Sequence, residues 1–157
     1  MHIATNTSSG KIDISSEKIT AEIAKEFSKI FENGDLVFLL GDMGVGKTTF
    51  VRYLINEFQK KNNLELTEVT SPTFNILNEY QVGDLNIKHY DLYRVKEFNE
   101  INNLGLLDDA KNSLILIEWP TLLLNNPSDF TKLSFSYSKD YSKRELYYEN
   151  LKKNVLE

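Results

Sequence analysis

Residues 36–49 read Leu36-Val37-Phe38-Leu39-Leu40-Gly41-Asp42-Met43-Gly44-Val45-Gly46-Lys47-Thr48-Thr49, and the order of residue types in this stretch decides the fold. Leu36 to Leu40 is a continuous apolar run of strand length. A run without polar alternation predicts a strand covered on both faces, as in a parallel sheet. Gly41, Gly44 and Gly46 follow, and their missing Cβ atoms let the backbone turn tightly. A helix is expected from about Thr48 to Lys60, with Val51, Leu54, Ile55 and Phe58 forming one apolar face. Strand, glycine-rich turn and amphipathic helix in this order predict an α/β domain of three layers.

Gly41 to Thr48 fits the pattern G-x-x-x-x-G-K-[ST]. Each fixed position has a physical reason. The glycines allow consecutive N–H groups to face inward around an anion, and the following helix adds its positive end. Lys47 can reach the β- and γ-phosphates of a nucleotide, and the Thr48 hydroxyl can ligate magnesium. At ordinary residue frequencies the fixed positions coincide by chance at on the order of 10⁻⁵ per position. The expected ligands are ATP and Mg²⁺, held by Gly41, Gly44, Val45, Gly46, Lys47, Thr48 and Thr49.

Such a loop needs an acid to help hold the metal, usually at the end of another strand. Asp91 closes the strand-like segment Leu85 to Tyr90. It can serve the metal, cap the next turn or pair with Arg94. Glu118 ends the apolar run Leu114-Ile115-Leu116-Ile117, where ligands of α/β sheets bind. It can orient an attacking water or complete the metal site; otherwise it is a carboxylate favoured by a helix start. Trp119, the only tryptophan, is a core residue or a cofactor contact. Ser71-Pro72-Thr73 is a hydroxyl-bearing loop able to sense a γ-phosphate, as switch loops do. His89 is read as structural, with one ring nitrogen on a backbone group.

The rest of the chain supplies a frame. Ile12 to Ile14 suggests a short strand, and Ser15 and Ser16 can cap the helix after it. Ile19, Ile23, Phe27, Ile30 and Phe31 recur at helical spacing, and Asn33-Gly34 is expected to stop that helix. Phe74 to Tyr80 and Leu85 to Tyr90 read as a hairpin around Gly83-Asp84. Short helices are expected over Glu97 to Leu104 and near Asp108, and weaker strands over Thr131 to Tyr137 and Glu145 to Tyr148.

The 157 residues are most simply one domain, 1–157, with its core over about 12–150. There are no cysteines, so disulfides are excluded. No basic-then-apolar leader opens the chain, and no apolar run approaches the roughly 20 residues that span a bilayer. A cytoplasmic protein without membrane contact is expected. The net charge of −5 argues against self-sufficient nucleic-acid binding, which draws affinity from Lys and Arg on phosphates.

Five motifs stand in order. They are Gly41 to Phe50, Thr70-Ser71-Pro72-Thr73-Phe74, His89-Tyr90-Asp91-Leu92-Tyr93-Arg94, Leu104-Gly105, and Ile117-Glu118-Trp119-Pro120. This order, from about Ile14 to Arg144, resembles the TsaE family, bacterial ATPases of tRNA threonylcarbamoyladenosine synthesis. The resemblance implies a P-loop NTPase fold with a mostly parallel central sheet and antiparallel additions. It implies slow, Mg²⁺-dependent ATP hydrolysis that resets an assembly with two partners, TsaB and TsaD. That assembly adds a threonylcarbamoyl group to adenosine 37 of tRNAs reading codons that start with A, so tRNA contact would be indirect. Carried over by motif, Lys47 binds phosphate, Thr48 and Glu118 serve the metal, and Asp91 supports the metal or its water. Ser71, Pro72 and Thr73 resemble the family's switch, and Trp119 a tryptophan near the nucleotide. Lys18 falls at an adenine contact, and Lys143 and Arg144 at a further nucleotide contact. Met43, Val45 and Tyr53 depart from common family residues at positions free of chemistry.

Other classes fit less well. Small-metabolite kinases of this type place several arginines around two phosphoryl groups, and this chain has only Arg52, Arg94 and Arg144. A GTPase would carry an Asn-Lys-x-Asp run, which is absent. A non-hydrolysing, ATP-dependent scaffold stays open as an alternative.

Overall fold

The computed structural model describes residues 9–108, 110–125 and 129–151. Among the described residues seven strands form one sheet: β1 (Gly10–Asp13), β2 (Leu36–Leu40), β3 (Leu77–Val82), β4 (Leu85–Asp91), β5 (Leu114–Glu118), β6 (Thr131–Tyr137) and β7 (Arg144–Glu149). Their order across the sheet is β1-β7-β6-β2-β5-β4-β3. The centre, β6-β2-β5-β4, is parallel throughout. β3 and β7 run against it, and β1 is antiparallel to β7. The sheet is thus mostly parallel with antiparallel additions, a P-loop NTPase-like fold.

The unbroken apolar run of β2 is explained by two cores, one on each face. Val37 and Leu39 face the larger cluster with Ile23, Phe27, Phe50, Leu54 and Leu116. Leu36 and Phe38 face a smaller one with Tyr90, Ile101, Ile115 and Ile117. Helices α1 (Glu17–Phe27) and α2 (Lys47–Lys61) cover the first face. The second layer is thinner: α3 (Phe98–Asn103), 3-10 turns at Ala110–Asn112 and Thr121–Leu123, and loops. Glu17 ties the two large helices, accepting from Arg52 Nη2 and Tyr53 Oη, each at 2.8 Å.

Several boundaries differ from the sequence expectations. Helix α1 stops at Phe27, although Ile30 and Phe31 continue its spacing. Both are buried from a turn instead, and the Phe31 ring stacks on Phe27 at 5.3 Å. Gly34, with φ 99°, belongs to the turn entering β2. Ser16 is the N-cap of α1 but makes no side-chain cap bond, while the Ser15 hydroxyl donates to Asp13. β3 begins at Leu77 rather than Phe74, because Ile76 N–H closes a turn on Pro72 C=O at 2.7 Å. Asp108 lies in a turn, and the short 3-10 helix follows it. Among the described residues no helix is long and apolar enough to cross a membrane.

Candidate functional site

The carboxyl ends of β2, β4 and β5 converge, as parallel neighbours must. In register, Leu39 pairs with Glu118, and Glu118 with Asp91. Strand alternation then places Ile87, His89 and Asp91 of β4, and Leu114, Leu116 and Glu118 of β5, on the face that α2 covers. Asp91 and Glu118 are therefore side by side beneath the first turn of α2.

The glycine loop joins β2 to α2 across this corner. Gly41, Gly44 and Gly46 all have positive φ, 143°, 76° and 117°. At Gly41 the requirement is also steric, since an added Cβ would lie 2.5 Å from Phe135 O and 2.9 Å from Val45 Cγ1. Neither a backbone carbonyl on β6 nor a buried valine can move freely. Gly41→Ala is expected to destabilise the fold by about 2 kcal/mol, or roughly 4–8 °C in Tm. A melting curve checks this.

A cavity of about 290 Å³ lies over the corner. Met43, Gly44 and Gly46 of the loop line it, with Lys47, Thr48 and Thr49 of α2. Ser71, Thr73, Asp91, Glu118, Trp119 and Arg144 complete the wall. Of the other residues singled out in the sequence, Val45 is buried in the core below the loop and Pro72 is buried in its own loop. Gly41 offers its carbonyl to Lys47. Lys18 and Lys143 are exposed and do not line the cavity. Arg144 does; its Nη2 donates to Ser15 C=O at 3.5 Å. A larger hollow of about 670 Å³ at the opposite end of the sheet is walled by Asn33, Asp35, Asp129 and Asn150 among others. Among the described residues its wall has no cationic side chain, and it carries the acids Asp35 and Asp129.

The electrostatics are those of an anion-and-cation pair of sites. Lys47 Nζ lies 2.5 Å from Gly41 O and 4.1 Å from the centre of the Trp119 ring. Burial pushes its ammonium below the usual lysine range, against the opposing pull of Glu118, Asp91 and Asp42. Trp119 is half-buried, with φ 55°, and packs edge-on against Tyr93 at 5.0 Å. It is therefore a wall of the cavity and not a core residue.

The two acids differ. Asp91 Oδ2 accepts from Thr73 Oγ1 at 2.9 Å and from Ser71 Oγ at 3.5 Å, and Oδ1 accepts Tyr93 N–H at 2.9 Å. It caps the turn after β4 and holds the Ser71 to Thr73 loop at once. Arg94 does not pair with it but lies over the Phe74 ring at 4.4 Å. Glu118 meets His89 Nε2 at 2.8 Å, and both are buried. The backbone partner expected for His89 is thus replaced by a carboxylate. Its spacing two residues before Asp91 was the available signal, since β-alternation puts both on one face.

The donor set fits magnesium: two carboxylates and a threonine hydroxyl are hard oxygen ligands, and Mg²⁺ usually takes one or two carboxylates plus phosphates and waters. The loop amides, the α2 N-terminus and Lys47 fit a polyphosphate.

The family model described as Threonylcarbamoyl adenosine biosynthesis protein TsaE matches residues 14–146. A relative named tRNA threonylcarbamoyladenosine biosynthesis protein TsaE, from Rickettsia typhi, is 44% identical over 110 residues, covering 70% of this chain and 74% of its own. A protein of the same name from Borreliella burgdorferi is 38% identical over 117 residues, covering 73% and 80%. The crystal structure of Bacillus subtilis YdiB superposes with a TM-score of 0.68 at 24% identity, covering 94% of this chain and 88% of that one, a likeness of fold. The chain belongs to the TsaE family of tRNA threonylcarbamoyladenosine biosynthesis proteins.

Proposed function

We propose that this protein binds ATP with Mg²⁺ and hydrolyses it slowly, and that this turnover serves threonylcarbamoylation of adenosine 37 in tRNAs reading codons that start with A. The observation that carries the reading is one cavity holding a buried lysine at a helix N-terminus and two strand-end carboxylates.

The chain's own groups divide the work. The loop amides and the start of α2 receive the phosphate oxygens. Lys47 leaves Gly41 O and the Trp119 face to pair with the phosphates. Thr48, Asp91 and Glu118 would hold Mg²⁺, which supplies charge neutralisation at the transferring phosphoryl group. Glu118 orients the attacking water and accepts its proton. The Thr73 hydroxyl, bonded to Asp91, lets the Ser71 to Thr73 loop register what happens at that carboxylate.

The partners are TsaB and TsaD, and the place of action is the cytoplasm. With a net charge of −5, this chain reaches tRNA through those partners. ATP hydrolysis by the purified protein, with and without TsaB and TsaD, tests the activity. The level of threonylcarbamoyladenosine in tRNA from cells lacking the protein tests the role. Turnover that rises with the partners, and loss of the modification, are the expected results. Phosphoryl transfer to a metabolite instead of water would contradict the reading.

Thr73→Val removes a hydrogen bond to a charged acceptor, worth about 1.5–3 kcal/mol. Turnover is expected to fall about tenfold while ATP affinity changes less than about threefold. Unchanged turnover would show that the loop does not report on Asp91.

A further inference from the structure

His89 is fully buried, and none of the roles above uses it. It sits on β4, one strand in from the edge of the sheet, paired in register with Leu116 on one side and Asn78 on the other. Its Nε2 lies 2.8 Å from Glu118 Oε2. Its Nδ1 is buried and has no hydrogen-bond partner among the described residues.

These two facts assign the proton. A ring protonated at Nδ1 would bury a donor without an acceptor, and it would present a lone pair to a carboxylate oxygen. A ring protonated at Nε2 satisfies the carboxylate and leaves only an acceptor lone pair unused. We propose that His89 is a positioning residue. Its neutral imidazole donates Nε2–H to Glu118 and fixes that carboxylate in one orientation, leaving the second oxygen to the cavity. This inference rests on the ATPase reading for its kinetic consequence but not for its geometry.

The physical need is clear from the surroundings. Glu118 is 3% exposed, so bulk solvent does not set its orientation. A glutamate has three rotatable side-chain bonds, and one fixed oxygen removes most of that freedom. Residues that orient a metal-serving or catalytic group in this way typically matter 10–100-fold, although they touch no substrate.

Two measurements test it on the intact protein. The first is the ¹⁵N spectrum of the imidazoles in the nucleotide-free protein, where His89 is one of only two histidines. A pyrrole-type Nε2 and a pyridine-type Nδ1 are expected. The reverse pattern, or two pyrrole-type nitrogens, would overturn the assignment. The second compares His89→Leu with His89→Gln, whose amide can place an N–H near the Nε2 position. His89→Leu is expected to lose at least about tenfold in turnover with ATP affinity within about threefold, and His89→Gln to recover most of the loss. Full turnover in the leucine variant, or equal losses in both folded variants, would overturn the positioning role. Should the leucine variant not fold, His89→Asn, whose amide falls short of Glu118, replaces it in the comparison. A wild-type protein without ATP turnover would contradict the ATPase reading, while the spectrum would still decide the tautomer.

Discussion

Lys47→Met is expected to weaken ATP binding at least about a hundredfold while leaving Tm within about 3 °C of wild type. The ammonium can make charge-assisted bonds to phosphate worth about 1.5–3 kcal/mol each, so losing two gives a factor of that order. Stability behaves differently, because burial makes the charge itself unfavourable in the empty site. Methionine keeps the length and apolar body of the side chain without the ammonium. The sign with pH follows from the same depression. The folded protein releases the Lys47 proton at lower pH than the unfolded chain does. Between those two points the unfolded chain binds more protons, so stability rises with pH there. Wild type is therefore expected to gain stability relative to Lys47→Met as pH climbs toward the usual lysine value. Paired melting curves across the alkaline range check this, and a loss of relative stability would contradict it.

Glu118→Gln is expected to lower turnover by at least about a hundredfold, the usual scale for removing a general base. ATP affinity should stay within about fivefold, since Lys47 and the loop amides are untouched and Thr48 and Asp91 remain to hold the metal. The neutral amide can still accept from His89, so the fold should hold. Single-turnover hydrolysis together with direct ATP titration separates the two effects. The same variant separates a hydrolytic clock from a scaffold. Loss of the tRNA modification in cells carrying Glu118→Gln supports the clock. Full modification in those cells would mean that binding alone suffices.

The parts of the structure legible in the sequence were those with one physical solution. A continuous apolar strand, three glycines and an amphipathic helix leave little choice, and β2, the loop and α2 form as that order requires. Asp91 and Glu118 were visible as acids closing apolar strand-like runs, although capping of the next turn stayed open for Asp91, and it does that as well. Elements set by tertiary contact were harder. The spacing of Ile30 and Phe31 suggested more helix, yet both reach the core from a turn after Phe27, where stacking and burial outweigh periodicity. Phe74 looked like strand but is 79% exposed under the Arg94 guanidinium. The partnership of His89 with Glu118 needed the register of β4 against β5, and the bond of Thr73 to Asp91 needed the turn from Pro72 to Ile76 that leads into β3. The contact of Lys47 with Trp119 depends on the left-handed backbone at residue 119, which the dipeptide Trp119-Pro120 alone does not reveal.

The central claim is that this loop, lysine and pair of carboxylates form a seat for a triphosphate and a divalent cation. Calorimetric titration of the folded protein with ATP, with Mg²⁺ and then with a chelator, tests it most directly. Saturable binding that weakens on chelation and falls at least about a hundredfold in Lys47→Met is the predicted result. No heat from a verified folded protein, or binding identical in wild type and Lys47→Met, would contradict it.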